Sequence, residues 1–165
     1  MGGSLGSSFI NSIVTTAVPR LLEACFVVHQ TGERDYAPSL RAGLFTSAFL
    51  SESLADIMAA ADLVVSRAGA NTLAELAALG KPMVLIPLPA SGSRGDQLRN
   101  AHVFCNAGAA LVLPEESTTP DTLLQAVLPL LADRRRLAEM GARARALGPG
   151  DAARDIARLI RQRIA

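Results

Sequence analysis

Residues 66–87 read SRAGANTLAELAALGKPMVLIP. One apolar run, Asp62–Ser66 (DLVVS), leads into this stretch, and a second, Met83–Pro87 (MVLIP), closes it. Between them Asn71–Leu79 is rich in Ala and Leu and stops at Gly80, a residue suited to a helix C-cap. Strand, turn, helix and strand in this order form a βαβ unit with parallel strands. Gly69, in the turn, permits either a positive φ or the close approach of a ligand to the backbone. The helix that follows turns its free N–H groups and the positive end of its dipole toward that turn. Such a turn suits an anion, a diphosphate for example. Thr72 and Glu75 leave a second reading open, because Thr-x-x-Glu is also a capping box whose side chains merely satisfy the helix start.

The pattern continues on both sides. Cys25–His29, Gly43–Phe49 and Ala110–Leu113 read as further buried strands. Helical spacing marks Ser8–Glu23, with Pro19 as a kink or break, and then Leu54–Ala61 and Asp96–Ala107, the last ending at Gly108. Pro120–Ala132, Arg134–Leu147 and Asp151–Ile164 complete the set. Strand and helix alternate, so the expected class is α/β, a Rossmann-like parallel sheet with helices on both faces. The chain has 165 residues, no repeat and no long linker, which indicates one domain.

Composition narrows the function. Net charge is +1, which gives no reason to expect nucleic acid as a partner. No apolar run approaches the ~20 residues of a membrane-spanning helix. Cys25 and Cys105 are far apart and outside any metal-ligand spacing, and no His or carboxylate cluster suggests a metal, so no cofactor is expected. His29 and His102 have no partner that sequence can pair with them, and both read as structural. A G-x-S-x-G nucleophile elbow and a Walker A motif are absent. The arginines within Arg134–Arg145 read as a solvated helix face.

Ligands of doubly wound sheets sit at the carboxyl ends of the strands. Two more stretches therefore matter. Met1–Ser8 (MGGSLGSS) is a glycine-rich loop opening a helix, where backbone N–H groups and the Ser4 hydroxyl could meet a phosphate. Its plain alternative is an unstructured start with Ser7 or Ser8 as N-cap. A phosphate loop of this kind follows a strand, so a strand is expected upstream of Gly2. Leu88–Ala101 (LPASGSRGDQLRNA) places Gln97 and Asn100 three residues apart on one helix face. Amides there suit sugar hydroxyls; alternatively Asp96 is an N-cap and the amides are solvated.

Taken together and in order, GGSLGSSFIN, HQTGE, SRAGANTLAELAALGKPMVLIPLP and SRGDQLRNA resemble the C-terminal half of the MurG family, the peptidoglycan N-acetylglucosaminyltransferases. The specific part of the resemblance runs from Gly2 to about Ala110. It implies one half of a GT-B fold, with UDP-N-acetylglucosamine as donor and inversion at the anomeric carbon without a covalent intermediate. It implies that Ser4 contacts the diphosphate, that the Leu50 backbone pairs with uracil, and that Ala70, Asn71 and Thr72 form the turn under the phosphates. Glu75 is implied to hold the ribose hydroxyls, and Gln97 and Asn100 the hydroxyls of the sugar. Asp96 stands where many members have His or Gln. The family's N-terminal acceptor domain, with its general base, has no counterpart here. No catalytic residue is therefore expected in this chain, and it alone should bind donor but hardly transfer sugar. The partners implied are a UDP-sugar, an acceptor-binding domain or subunit, and through it a lipid-linked acceptor on the cytoplasmic face of the membrane. A donor subunit of another UDP-sugar transferase, of glycolipid or two-subunit type, and a non-catalytic UDP-sugar-binding module remain as alternatives.

Overall fold

The computed structural model describes residues 1–2, 6–51, 53–148, 150 and 152–164. Among the described residues, five short strands are all parallel to their neighbours: β1 (Val27–Gln30), β2 (Leu44–Ser47), β3 (Val64–Ser66), β4 (Met83–Leu85) and β5 (Ala110–Val112). They form two sheets, β1-β2 and β3-β4-β5. Met1 lies against the edge of β3 that β4 leaves unpaired. Its amine donates to Val65 O at 2.8 Å, and Arg67 N donates back to Met1 O at 3.4 Å.

The helices follow the sequence pattern closely: α1 (Ser8–Leu21), α2 (Leu54–Ala60), α3 (Ala70–Leu79), a single turn α4 (Ala90–Ser93), α5 (Asp96–Asn106), α6 (Pro120–Ala132), α7 (Arg134–Ala146) and α8 (Ala152–Ile164). Pro19 does not break α1 into two elements; it lies inside the helix. Without an N–H it forgoes one i→i−4 bond, and the helix ends two residues later. Gly80 caps α3 in the left-handed region (φ 64°). Thr119 caps α6 reciprocally with Thr122, and Pro120 occupies the first turn.

The period-two alternation of β4 divides the core. Val84 points to α1 and α6, joining Ile10, Val14, Val18, Leu123 and Leu130, and Ile86 just beyond the strand does the same. Met83 and Leu85 point to the opposite face, joining Met58 of α2, Leu73 and Leu76 of α3, and Phe104 of α5. Helix α7 closes both clusters, with Leu137 and Met140 in the first and Ala144 in the second. The three strand residues Met83, Val84 and Leu85, and Ile86 after them, have no accessible surface. Burying side chains of this size contributes about 1.5–3 kcal/mol each, which holds the strand ends in place beneath the loops.

Candidate functional site

Two helix N-termini converge above the carboxyl ends of the strands. Helix α1 opens at Ser7, whose side chain accepts the N–H of Ile10. Helix α3 opens at Gly69, which has φ −68° and ψ 139° and uses no side-chain cap. Thr72 therefore lies inside the first turn and is not the cap, and the capping-box reading of Thr72 and Glu75 does not hold. Gly69 does not need a positive φ either, and a Cβ added there would meet nothing within 4 Å. The glycine leaves open space on the side of the cleft.

That cleft, about 270 Å³, is lined by Gly2, Gly6, Ser7, Arg67, Gly69, Thr72, Leu88 and Gln97. Gly2, Gly6, the helix dipoles of α1 and α3 and one buried guanidinium thus face a single space, a donor-rich environment for an anion. Gly6 has φ 76°, and any Cβ there would overlap the carbonyl oxygen of Thr31. The backbone at Gly6 therefore rests directly on the HQTGE loop, residues 29–33.

A hydrogen-bonded cluster holds those loops together. Asn11 Nδ2 donates to Thr31 O at 2.7 Å and to Asp35 Oδ2 at 2.9 Å. Its Oδ1 must then accept, so the 3.1 Å contact with His29 Nε2 is a bond from the Nε2–H tautomer. Burial, and then the charge of the Met1 amine, lower the His29 pKa to about 4, so the ring is neutral at pH 7. Asp35 also accepts Ser8 Oγ–H and pairs with Arg34; the bonds from Arg34, Ser8 and Asn11 hold its pKa down at about 2. His29 is structural in this setting.

The residues expected at the site fall into groups. Ser4 lies outside the described residues. Ala70 and Asn71 are exposed at the start of α3, and Thr72 lines the cleft. Glu75, one turn further along, is exposed and makes no hydrogen bond or ion pair among the described residues. Gln97 is half-buried, and its Oε1 accepts the backbone N–H groups of Ala68 (3.3 Å) and Leu88 (3.1 Å). Asn100 Nδ2 donates to Ala68 O at 3.1 Å. Both amides thus tie α5 to the turn before α3, which leaves Gln97 Nε2 and Asn100 Oδ1 as the groups they can offer a ligand. Leu50 is buried, and its N–H already donates to Gln30 Oε1 at 3.1 Å, so the carbonyl is what its backbone can present. Leu50, Ala70, Asn71, Glu75 and Asn100 do not line the cleft itself. Asp96 is not an N-cap: Gly95 holds that position, and Asp96 pairs with Arg99.

Sequence reading missed Arg67 and Glu115. Arg67 is buried, Nη2 donates to Ser7 Oγ at 2.7 Å, Nη1 donates to Ile86 O at 3.0 Å, and the same Nη1 pairs with Glu115. An arginine directly after an apolar strand, at its carboxyl end, was the available signal. Glu115 lies in the loop after β5, and nothing in its neighbours announces a partner.

The chain matches the model of the glycosyltransferase family 28 C-terminal domain over residues 1–160. It is 44% identical over 138 residues to the UDP-N-acetylglucosamine–N-acetylmuramyl-(pentapeptide) pyrophosphoryl-undecaprenol N-acetylglucosamine transferase of Lachnospira eligens, covering 82% of this chain and 39% of that protein. The protein of the same name from Geobacillus thermodenitrificans is 45% identical over 138 residues, with the same coverage of 82% and 39%. Among solved structures, MurG of Acinetobacter baumannii superposes with a TM-score of 0.81 at 31% identity, covering 98% of this chain and 48% of that one. The chain therefore spans between 39% and 48% of the length of these relatives.

Proposed function

Because the chain belongs to the glycosyltransferase family 28 C-terminal domains, we propose that it is the UDP-N-acetylglucosamine-binding half of a MurG-like inverting transferase. The complete protein moves N-acetylglucosamine onto a lipid-linked muramoyl-pentapeptide. The observation that carries this reading is the cleft in which the N-termini of α1 and α3 face one another across Gly6, Gly69 and Thr72.

In this reading the diphosphate of the donor occupies the cleft. Backbone N–H groups of the two first turns donate to its oxygens, and the helix dipoles favour its charge. Charge accumulates on the diphosphate as the bond from the anomeric carbon to its oxygen breaks. Fixed dipoles aimed at that oxygen lower the barrier without reorganising, and this is the chain's share of catalysis. Glu75, exposed one turn into α3 and without a partner among the described residues, accepts the ribose hydroxyls. Gln97 Nε2 and Asn100 Oδ1 meet sugar hydroxyls. The carbonyl of Leu50 accepts the N3–H of uracil.

The acceptor and the base that deprotonates its hydroxyl belong to a second domain or subunit facing this one. Transfer needs both substrates held in line, so this chain alone binds donor and turns over negligibly. Membrane association at the cytoplasmic face follows from the lipid-linked acceptor, bound through that second domain. Among the described residues no helix is long and apolar enough to cross a membrane.

Calorimetric titration of the chain with UDP-N-acetylglucosamine, UDP-glucose and UDP tests the proposal. Saturable binding is expected for all three, tightest for UDP-N-acetylglucosamine. Binding of none of them by a folded chain would overturn the reading.

A further inference from the structure

The guanidinium of Arg67 joins four parts of the fold at one point. It sits at the carboxyl end of β3, reaches the end of β4 through Ile86 O, meets the loop after β5 through Glu115, and holds the N-cap of α1 through Ser7 Oγ. The Phe9 ring lies 6.0 Å from its central carbon. Its side chain is 8% exposed, against 22% for Glu115. A guanidinium keeps its charge at any ordinary pH, so the cleft it lines contains a permanent, poorly hydrated cation. Holding such a charge away from water is costly unless an anion faces it. The anion that faces it is Glu115.

We infer that Arg67 is the cation that recognises the donor's diphosphate and that Glu115 is the counter-charge limiting how tightly it is held. The inference rests on the donor reading given above and adds two residues to it. The diphosphate enters a space already lined by Ser7 and Arg67, so it shares the guanidinium with Glu115 without replacing it. Two anions on one cation repel, and the carboxylate lowers the affinity of the site for UDP. Since UDP is also the product, Glu115 favours its release. A role confined to bracing the fold would weaken every ligand alike; a charge role acts on the phosphates alone.

The test compares uridine with UDP on the full chain by calorimetry, taking the ratio of the two affinities. Arg67→Met is expected to lower that ratio at least tenfold, with uridine affinity unchanged. Glu115→Gln keeps an oxygen for Nη1 but removes the negative charge, and it is expected to raise the ratio threefold or more. Because Arg67→Met removes a buried strut and could unfold the chain, Glu115→Gln decides the matter independently. A ratio unmoved or lowered by Glu115→Gln overturns the inference, as does a folded Arg67→Met variant with the ratio intact. A wild-type chain that binds uridine and UDP equally also overturns it, while leaving a nucleoside site in place. A folded wild-type chain that binds neither ligand overturns both this inference and the donor reading beneath it.

Discussion

The side-chain oxygen of Gln97 accepts the backbone N–H of Leu88 at 3.1 Å, and it takes the N–H of Ala68 at 3.3 Å as well. One amide thus holds the ends of two loops that enter α3 and α5. Gln97→Ala takes this acceptor away from two partly buried N–H groups, and urea unfolding is expected to show a loss of about 1–3 kcal/mol. Gln97→Glu keeps the acceptor and should unfold close to the wild type. Its new charge faces the cleft, so UDP affinity is expected to fall about tenfold by calorimetry. Equal stability of the Ala and Glu variants would contradict the strut.

Gly6 and Gly69 line the same cleft for different reasons. At Gly6 the backbone itself requires glycine, with φ 76° and Thr31 O in the way of any Cβ. Gly6→Ala is expected to cost about 1–3 kcal/mol and to lower the melting temperature. Gly69 has an ordinary φ and open space, so Gly69→Ala should leave stability within about 0.5 kcal/mol of the wild type or raise it slightly. Its methyl group would nonetheless stand where the diphosphate approaches, and about a tenfold loss of UDP affinity is expected. A folded Gly69→Ala variant with full affinity would place the diphosphate elsewhere.

Glu75 is exposed and unpartnered among the described residues, so Glu75→Ala should leave the melting curve unchanged. Binding of UDP-N-acetylglucosamine and of UDP should each weaken about tenfold, on the order of 1.4 kcal/mol. With the 2′-deoxy analogue of UDP the gap between wild type and variant should shrink. A gap of the same size with both nucleotides would remove the ribose from Glu75's role.

His29 gives the stability a direction in pH. Its folded pKa of about 4 lies below the unfolded value of 6.5, so the unfolded chain binds the extra proton between those limits. The part of the stability that rests on His29 is full above pH 6.5 and falls as pH drops toward 4, by up to about 3 kcal/mol; the buried Met1 amine, lowered from 8.0 to about 6, adds a loss between those two values. Asp35, with a folded pKa of about 2, adds a further loss only below about pH 4. Melting temperatures between pH 7.5 and 4.5 should therefore decline for the wild type and decline less for His29→Gln. Parallel curves for the two proteins would show that the ring titrates freely.

The strands and helices were legible because apolar period and caps agreed: Gly80, Thr119 and Pro120 stand where the helices start and stop. The site was legible as a set of loops, since the topology sends the carboxyl ends of the strands to one side. Which groups remain for a ligand was not legible. Gln97, Asn100 and Leu50 all look unengaged in sequence, yet each already bonds a group distant along the chain. The same limit hid Arg67, whose partners Ser7, Ile86 and Glu115 are brought together only by folding. Thr72 and Glu75 erred in the opposite direction, because a local motif suggested a cap that Gly69 makes unnecessary.

Helix α8 has a consequence for how the chain behaves in solution. Ile156, Leu159, Ile160 and Ile164 are each more than half exposed, and none belongs to either core cluster. A 13-residue helix whose described side chains, Arg154 and residues 156–164, are all exposed is marginal in water. Its amide protons should exchange with deuterium within seconds, while those of β4, sealed on both faces, persist to the limit of global unfolding. Exchange read along the sequence would therefore divide the molecule into a slow body ending near Ala146 and a fast final segment.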